Sequence, residues 1–287
     1  MRRWRKVLVL LVVAFLVIIG TAAAIGHAAY RQRMAAAVQA WDAIAAAAPP
    51  ATESFDPVMV ADLPEVAQRY FTHAIAPGTP LATTVELEMA GRFLLGDKDG
   101  AQQFEMHARQ ILSPPHAFVW LAEMANGPLR ISGSDGLLDG EGWTRFWMFQ
   151  TVPLVQAAGG TDLDRGAAAR PALEAVWAPA SLLPQHGAHW EQTGPDTARV
   201  AFGSGETAIA MDLVLDAVGR PLSMSAMRWS DVNPDKTYRL QPFGGTLEAE
   251  ATFSGFTIPS VVRVGNHFGT PGYFPFFQAT ITDARYR

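Results

Sequence analysis

VELEMAGRFLLGDKDGAQQFEMHAR, from Val85 to Arg109, is the stretch from which the fold is read. Val85, Leu87 and Met89 alternate with Glu86, Glu88 and Ala90, and Phe104, Met106 and Ala108 alternate with Glu105, His107 and Arg109. A period of two places each set on one face of an extended chain, the pattern of a half-buried strand. Gly96-Asp97-Lys98-Asp99-Gly100 between them is turn chemistry, so the pair reads as a hairpin.

The pattern continues downstream. Ala117–Met124 is apolar on both faces, Leu129–Ser132 follows, and Leu137–Phe149 comes next, with Gly133, Gly136, Gly140 and Gly142 around the turns. An antiparallel meander accounts for these runs. It is interrupted from Leu154 to Pro184, where Asp164 to Trp177 is Ala-rich and helical in pattern, Pro171 sits best in a first helical turn, and Pro179 lies beyond the helix end. Strands resume at His189–Gln192, Ala198–Phe202, Ile209–Leu215 and Leu222–Trp229. Residues 230–245 read as a polar loop with a short extended piece at Tyr238–Leu240, before strands at Leu247–Phe253, Val261–Val264 and Phe277–Thr282. The expectation is α+β, mostly antiparallel β, with about ten strands and one inserted helical segment.

Upstream, Asp62 and Glu65 have the spacing of a capping box, with Pro64 in the first turn, and predict a helix whose apolar face is Val66, Ala67, Tyr70, Phe71, Ala74 and Ile75. Residues 51–61 read as a linker. His27 to Ala48 is an Ala-rich helix carrying one narrow apolar stripe, Tyr30, Met34, Val38 and Trp41. It reads as a spacer lifting the domain off a bilayer, or alternatively as a self-association helix.

Val7 to Ile25, VLVLLVVAFLVIIGTAAAI, is nineteen residues without a charge. At about 1.5 Å per residue it nearly spans the ~30 Å hydrocarbon layer. Arg2, Arg3, Arg5 and Lys6 precede it, which places the N-terminus in the cytoplasm and the rest outside. A cleaved signal peptide is the competing reading, but its apolar core runs only about 7–15 residues. The expected organisation is therefore a single-pass anchor in the inner (cytoplasmic) membrane at 1–26, the Ala-rich helix and linker at 27–61, and an extracytoplasmic β-barrel-like domain at 62–287.

The chain holds 22 basic and 27 acidic residues; without the four cations before Val7 the balance is 18 against 27, or −9. That sign repels phosphate backbones and disfavours nucleic acid as a partner. There is no cysteine, which excludes disulfides, thiolate metal sites and a cysteine nucleophile.

Several short motifs, in order, resemble a bacterial family of unknown function: Leu63-Pro64-Glu65-Val66 with Arg69-Tyr70; Gly91-Arg92-Phe93; Phe118-Val119-Trp120 followed by Asp135 and Gly140-Glu141-Gly142; Arg170 with Leu173-Glu174 and Trp177-Ala178-Pro179; and Gly255-Phe256-Thr257-Ile258-Pro259 before Tyr273. The resemblance spans Leu63 to Asp283. It implies no activity, and a half-open β-barrel wrapped on a helix like that of the lipoprotein carriers LolA and LolB. Pro242-Phe243 stands where the family would have Pro-Trp, and a tryptophan expected near Gly265 is absent.

Arg170 and Glu174 stand four apart on the inserted helix, within reach of an ion pair. If that helix fills the mouth of a curved sheet, they become polar groups in an apolar cavity, suited to orienting a ligand headgroup; otherwise they are a surface ion pair. The resemblance alone brings Arg92 and Asp135 into this cluster. Trp120 and Trp177 belong to an aromatic supply large enough to line a ligand pocket as well as a core. His186 and His189 have a metal-like spacing, but Pro184 and Gly187 argue for a loop and no third ligand is nearby, so no metal and no cofactor is expected. Asp135, Asp139 and Glu141 read as hairpin-turn residues rather than a calcium loop. No nucleophile elbow, Ser-x-x-Lys or phosphate-cradling loop occurs.

The function expected is binding of a lipid or other apolar ligand in the concavity of a curved sheet, without catalysis. Two alternatives stand beside it: an interaction module docking an envelope protein partner, and a hydrolase without a local motif.

Overall fold

The Val85–Arg109 hairpin lies at the centre of a single thirteen-stranded antiparallel sheet in a computed structural model that describes residues 2–203, 205 and 208–287. The strands are β1 (Val85–Leu95), β2 (Gln102–Ser113), β3 (Ala117–Asn126), β4 (Leu129–Leu138), β5 (Glu141–Met148) and β6 (Val152–Ala158) in one wing. The other wing holds β7 (Ala188–Gly194), β8 (Thr197–Phe202), β9 (Ile209–Leu215), β10 (Pro221–Ser230), β11 (Arg239–Phe253), β12 (Phe256–Asn266) and β13 (Phe274–Tyr286). The order is β6-β5-β4-β3-β2-β1-β13-β12-β11-β10-β9-β8-β7. One meander thus runs outward to β6 and a second runs back from β7, and β13 joins them by pairing with β1.

The interruption is the crossover between the two outer edges. Helix α3 (Thr161–Leu173) packs on β3, β4 and β5 of one wing and on β9 and β10 of the other. Seven strand spacings separate β4 from β10 in the sheet order. At ~4.8 Å each that is about 34 Å, roughly three helix diameters, so one helix can touch both only if the sheet curls around it. Two ties hold α3 there: Asp164 Oδ1 accepts from the Gly142 backbone N–H at 2.8 Å, and Asp162 Oδ1 accepts from Trp229 Nε1 at 2.8 Å. Helix α2 (Glu65–Ala74) also lies in the concavity, burying Val66, Ala67, Tyr70, Phe71 and Ala74 against β7, β8 and β12.

The run Ala117–Met124 is apolar on both faces because both are covered. Phe118, Trp120, Ala122 and Met124 face the main core. Ala117, Val119 and Leu121 face a second cluster, completed by Ile111, Trp143 and helix α1 (Arg2–Ala47). That helix is continuous through the apolar segment, whose side chains are exposed, and its later half lies on the convex face of the sheet. Gly26 makes the approach possible, since a side chain there would run into the Thr151 carbonyl of the β5–β6 turn. The stripe that packs is Tyr30, Met34, Ala37, Trp41 and Ile44, spaced four, three, four and three; Val38 is exposed. The Ala-rich helix is therefore a third layer of the domain rather than a bare spacer.

Other expectations change for local reasons. The sheet has thirteen strands instead of about ten and is open between β6 and β7. β6 was hidden inside the apparent interruption because Val152, Leu154 and Val155 do not alternate. Gly133 and Gly136 lie within β4, and the turn is Asp139-Gly140, both with positive φ. β11 runs through Pro242 and the Gly244-Gly245 pair, since Gly245 lets the Arg263 carbonyl of β12 approach where a Cβ would clash. Segment 51–61 is no linker: Phe55 and Val60 enter the main core. The Asp62–Glu65 capping box does not form, because Pro64 occupies the cap. Pro171 lies in the last turn of α3, not the first of a new helix.

Candidate functional site

A cavity of about 400 Å³ remains between α3 and the curved sheet. Its walls draw on the ends of β1 (Phe93, Leu95), β10 (Arg228) and β12 (Val264), the starts of β11 (Phe243) and β13 (Phe276, Phe277), and Leu154 and Val155 of β6, and they reach the strand centres at Met224, Leu247 and Val262. Antiparallel alternation puts those strand ends and starts on the side where β5 turns into β6. The opposite end is filled by α2, where Tyr70 and Phe71 pack on Trp190 at ring separations of 5.3 and 5.2 Å. An aromatic chain runs along the wall: Phe146 to Trp120 at 5.9 Å, Trp120 to Phe93 at 6.0 Å, Phe93 to Phe276 at 5.4 Å and Phe276 to Phe243 at 6.5 Å. Trp177, just after α3, also lines the cavity, and its Nε1 donates to the Pro259 carbonyl at 3.0 Å.

The polar groups are placed by register. Gln110 of β2, Trp120 of β3, Asp135 of β4 and Thr144 of β5 are successive cross-strand partners and form one row. Arg170 projects onto this row from the last turn of α3 and stacks over the Phe118 ring at 4.3 Å. Its Nη1 donates to Asp135 Oδ2 at 2.6 Å and its Nε to Glu174 Oε1 at 2.8 Å. Glu174 Oε2 accepts from Gln110 Nε2 at 2.6 Å, and Asp135 Oδ1 accepts from Thr144 Oγ1 at 2.9 Å. Each carboxylate therefore has one charged and one neutral donor. Burial by itself would depress the Arg170 guanidinium, but the charges of Glu174 and Asp135 and their hydrogen bonds outweigh it and raise it above arginine's ordinary value.

Arg228 is the contrast. It lines the same cavity, with its guanidinium 5.1 Å from the Phe243 ring centre. Its Nε is buried without a hydrogen-bond partner, and it makes no ion pair among the described residues. Burial, then the positive charge of Arg170, pushes its ionisation below arginine's ordinary value; Asp135 and Glu174 offset this only in part.

Of the six residues singled out in the sequence, Trp120, Asp135, Arg170, Glu174 and Trp177 meet at this cavity. Arg92 does not. It follows the alternation of Val85, Leu87 and Met89 onto the opposite face and is exposed, while its neighbour Phe93 lines the wall. The residues missed are Gln110, Thr144 and Arg228. Two carried a legible signal, since Gln110 continues the inward series Phe104, Met106, Ala108 and Arg228 continues Met224, Ala226. His186 ends a short 3-10 turn and His189 is an exposed residue of β7; among the described residues no group of three His, Asp or Glu could hold a metal ion.

The chain belongs to the DUF6544 family, a family of unknown function, whose model matches residues 53–279. No curated protein sequence matches it. Among solved structures it is similar to a LolA superfamily protein from Nitrosomonas europaea, with 10% identity, 77% of this chain and 92% of that chain covered, and a TM-score of 0.39. It is similar also to a DUF1329 family protein from Desulfovibrio piger, with 9% identity, 77% and 90% covered, and a TM-score of 0.38.

Proposed function

We propose that this DUF6544 family member is a membrane-anchored extracytoplasmic protein that binds a lipid or other apolar ligand in the concavity of its sheet. The observation that carries the reading is the cavity of about 400 Å³, walled by aromatic and aliphatic side chains with a few polar groups. That volume is within the ~300–1,000 Å³ of ligand clefts, and such a wall holds its ligand by burial and shape. Binding rather than catalysis fits the paired state of Asp135 and Glu174, since neither carboxylate is left free to serve as a base.

The mounting of the domain supports a ligand taken from a membrane. The apolar segment ends at Ile25, and the next residue, Gly26, abuts Thr151 in the β5–β6 turn. Leu154 and Val155, three and four residues beyond that turn contact, line the cavity. A retained anchor at Val7–Ile25 would therefore hold the lined end of the sheet toward the bilayer. Mass spectrometry of small molecules that remain with the purified full chain tests the proposal. A recurrent stoichiometric amphiphile is expected, and a preparation free of any such molecule that also fails to take up added lipid would sink it.

A further inference from the structure

Resting on that reading, we propose that the ligand is an anionic amphiphile whose carboxylate or phosphate is held by the Arg228 guanidinium while its chain lies along the aromatic wall. The cavity contains two guanidinium and two carboxylate groups, but they are not shared evenly. Arg170 takes both carboxylates, and Gln110 and Thr144 satisfy the remaining oxygens. Arg228 is left with no ion-pair partner among the described residues and a buried Nε without an acceptor.

A half-buried cation with a buried Nε and no ion-pair partner among the described residues is costly unless something supplies a counter-charge. The neighbours cannot supply it without releasing Arg170. A ligand oxyanion can, with a bidentate contact that a planar guanidinium suits. A cationic headgroup would meet Arg228 and the already satisfied pairs, and a neutral one could accept from Nε but would leave the positive charge without a counter-charge. A second buried donor without a partner among the described residues, Trp120 Nε1, belongs to the same wall. The phenyl ring of Phe243 beneath Arg228 fixes the guanidinium where the aromatic chain ends, so headgroup and tail subsites adjoin.

The test is titration of the full chain, held in an amphipathic polymer, with lauric acid, lauryl alcohol, laurylamine and acetate, following tryptophan fluorescence and heat. Laurate is expected to bind about tenfold or more tighter than the alcohol, since a hydrogen-bonded charge contact is of that size. Arg228→Gln should bring laurate down to the affinity of the alcohol without changing the latter, and Arg228→Lys should retain part of the preference. Equal binding of laurate and alcohol by the unaltered protein, or a preference that survives Arg228→Gln in a variant with an unchanged melting profile, overturns the headgroup assignment alone. Acetate binding as tightly as laurate overturns the amphiphile. If none of the lauryl compounds binds, the apolar-ligand reading falls with it.

Discussion

Arg170 Nη1 lies 2.6 Å from Asp135 Oδ2, joining two residues thirty-five positions apart across the concave face of the sheet. The same guanidinium holds Glu174, and the three side chains are only 15–20% exposed. Replacing it leaves two poorly solvated carboxylates, so Arg170→Met is expected to cost about 3 kcal/mol, read from the urea midpoint. Adding Asp135→Asn and Glu174→Gln should recover part of that loss. A single variant within about 1 kcal/mol of the parent would show that the cluster is solvated after all.

Arg228 should behave in the opposite way. Its charge is unpaired among the described residues, so Arg228→Met is expected to be neutral or to stabilise the ligand-free protein by about 1 kcal/mol. Chemical denaturation of the two variants side by side separates a structural arginine from one kept for a ligand; a clear loss of stability in Arg228→Met contradicts the distinction.

Val264 is half-buried and lines the cavity near the end of β12. Val264→Trp fills that space, and we expect it to reduce ligand retention at least tenfold while the melting temperature moves by only a few degrees. Retention at the parental level would place the ligand elsewhere.

The convex layer predicts where the chain can be shortened. Ile44 is 3% exposed and packs with Ile111, Val119 and Leu121. Ile44→Ala should cost about 3 kcal/mol. A chain beginning at residue 51 uncovers that apolar face and should aggregate, whereas one beginning at residue 26 should remain soluble. Equal behaviour of the two in size-exclusion chromatography would argue that α1 does not pack there.

His73 Nε2 lies 2.9 Å from Glu250 Oε1, with Asp216 and Arg220 nearby. The hydrogen bond to Glu250 raises the imidazole above its ordinary value, against burial, which lowers it; the charges of Glu250 and Asp216 add to the rise and Arg220 opposes it. A group with a raised folded pKa contributes stability in full below its unfolded value of about 6.5 and loses it as pH rises through the folded value. The stability gap between the parent and His73→Gln should therefore shrink over the pH window that opens above about 6.5. A gap that stays flat over that window means the imidazole is not charged against Glu250.

Strand existence and face were legible wherever polar and apolar residues alternate, as in Val85–Met89 and Phe104–Ala108. The same rule, carried on to the end of β1, would have put Arg92 outside and Phe93 inside, and along β2 and β10 it would have brought in Gln110 and Arg228. It fails where both faces are covered or where an edge strand does not alternate, which is why β3 gave no face and β6 no strand. Within β4 and β11 the glycines looked like turns, because a residue without a side chain marks a turn and a close backbone approach alike.

The sequence by itself determined the antiparallel meander, the apolar N-terminal segment and the pairing of Arg170 with Glu174, since each depends on residues close in the chain. Only the tertiary structure decided that α3 crosses from edge to edge inside a curled sheet, bringing Asp135 and Gln110 to Arg170 and leaving Arg228 without a partner among the described residues. It alone decided, too, that the stripe on α1 covers the convex face. Those outcomes depend on how far thirteen strands twist and curl, a sum of many small rotations that no local pattern records.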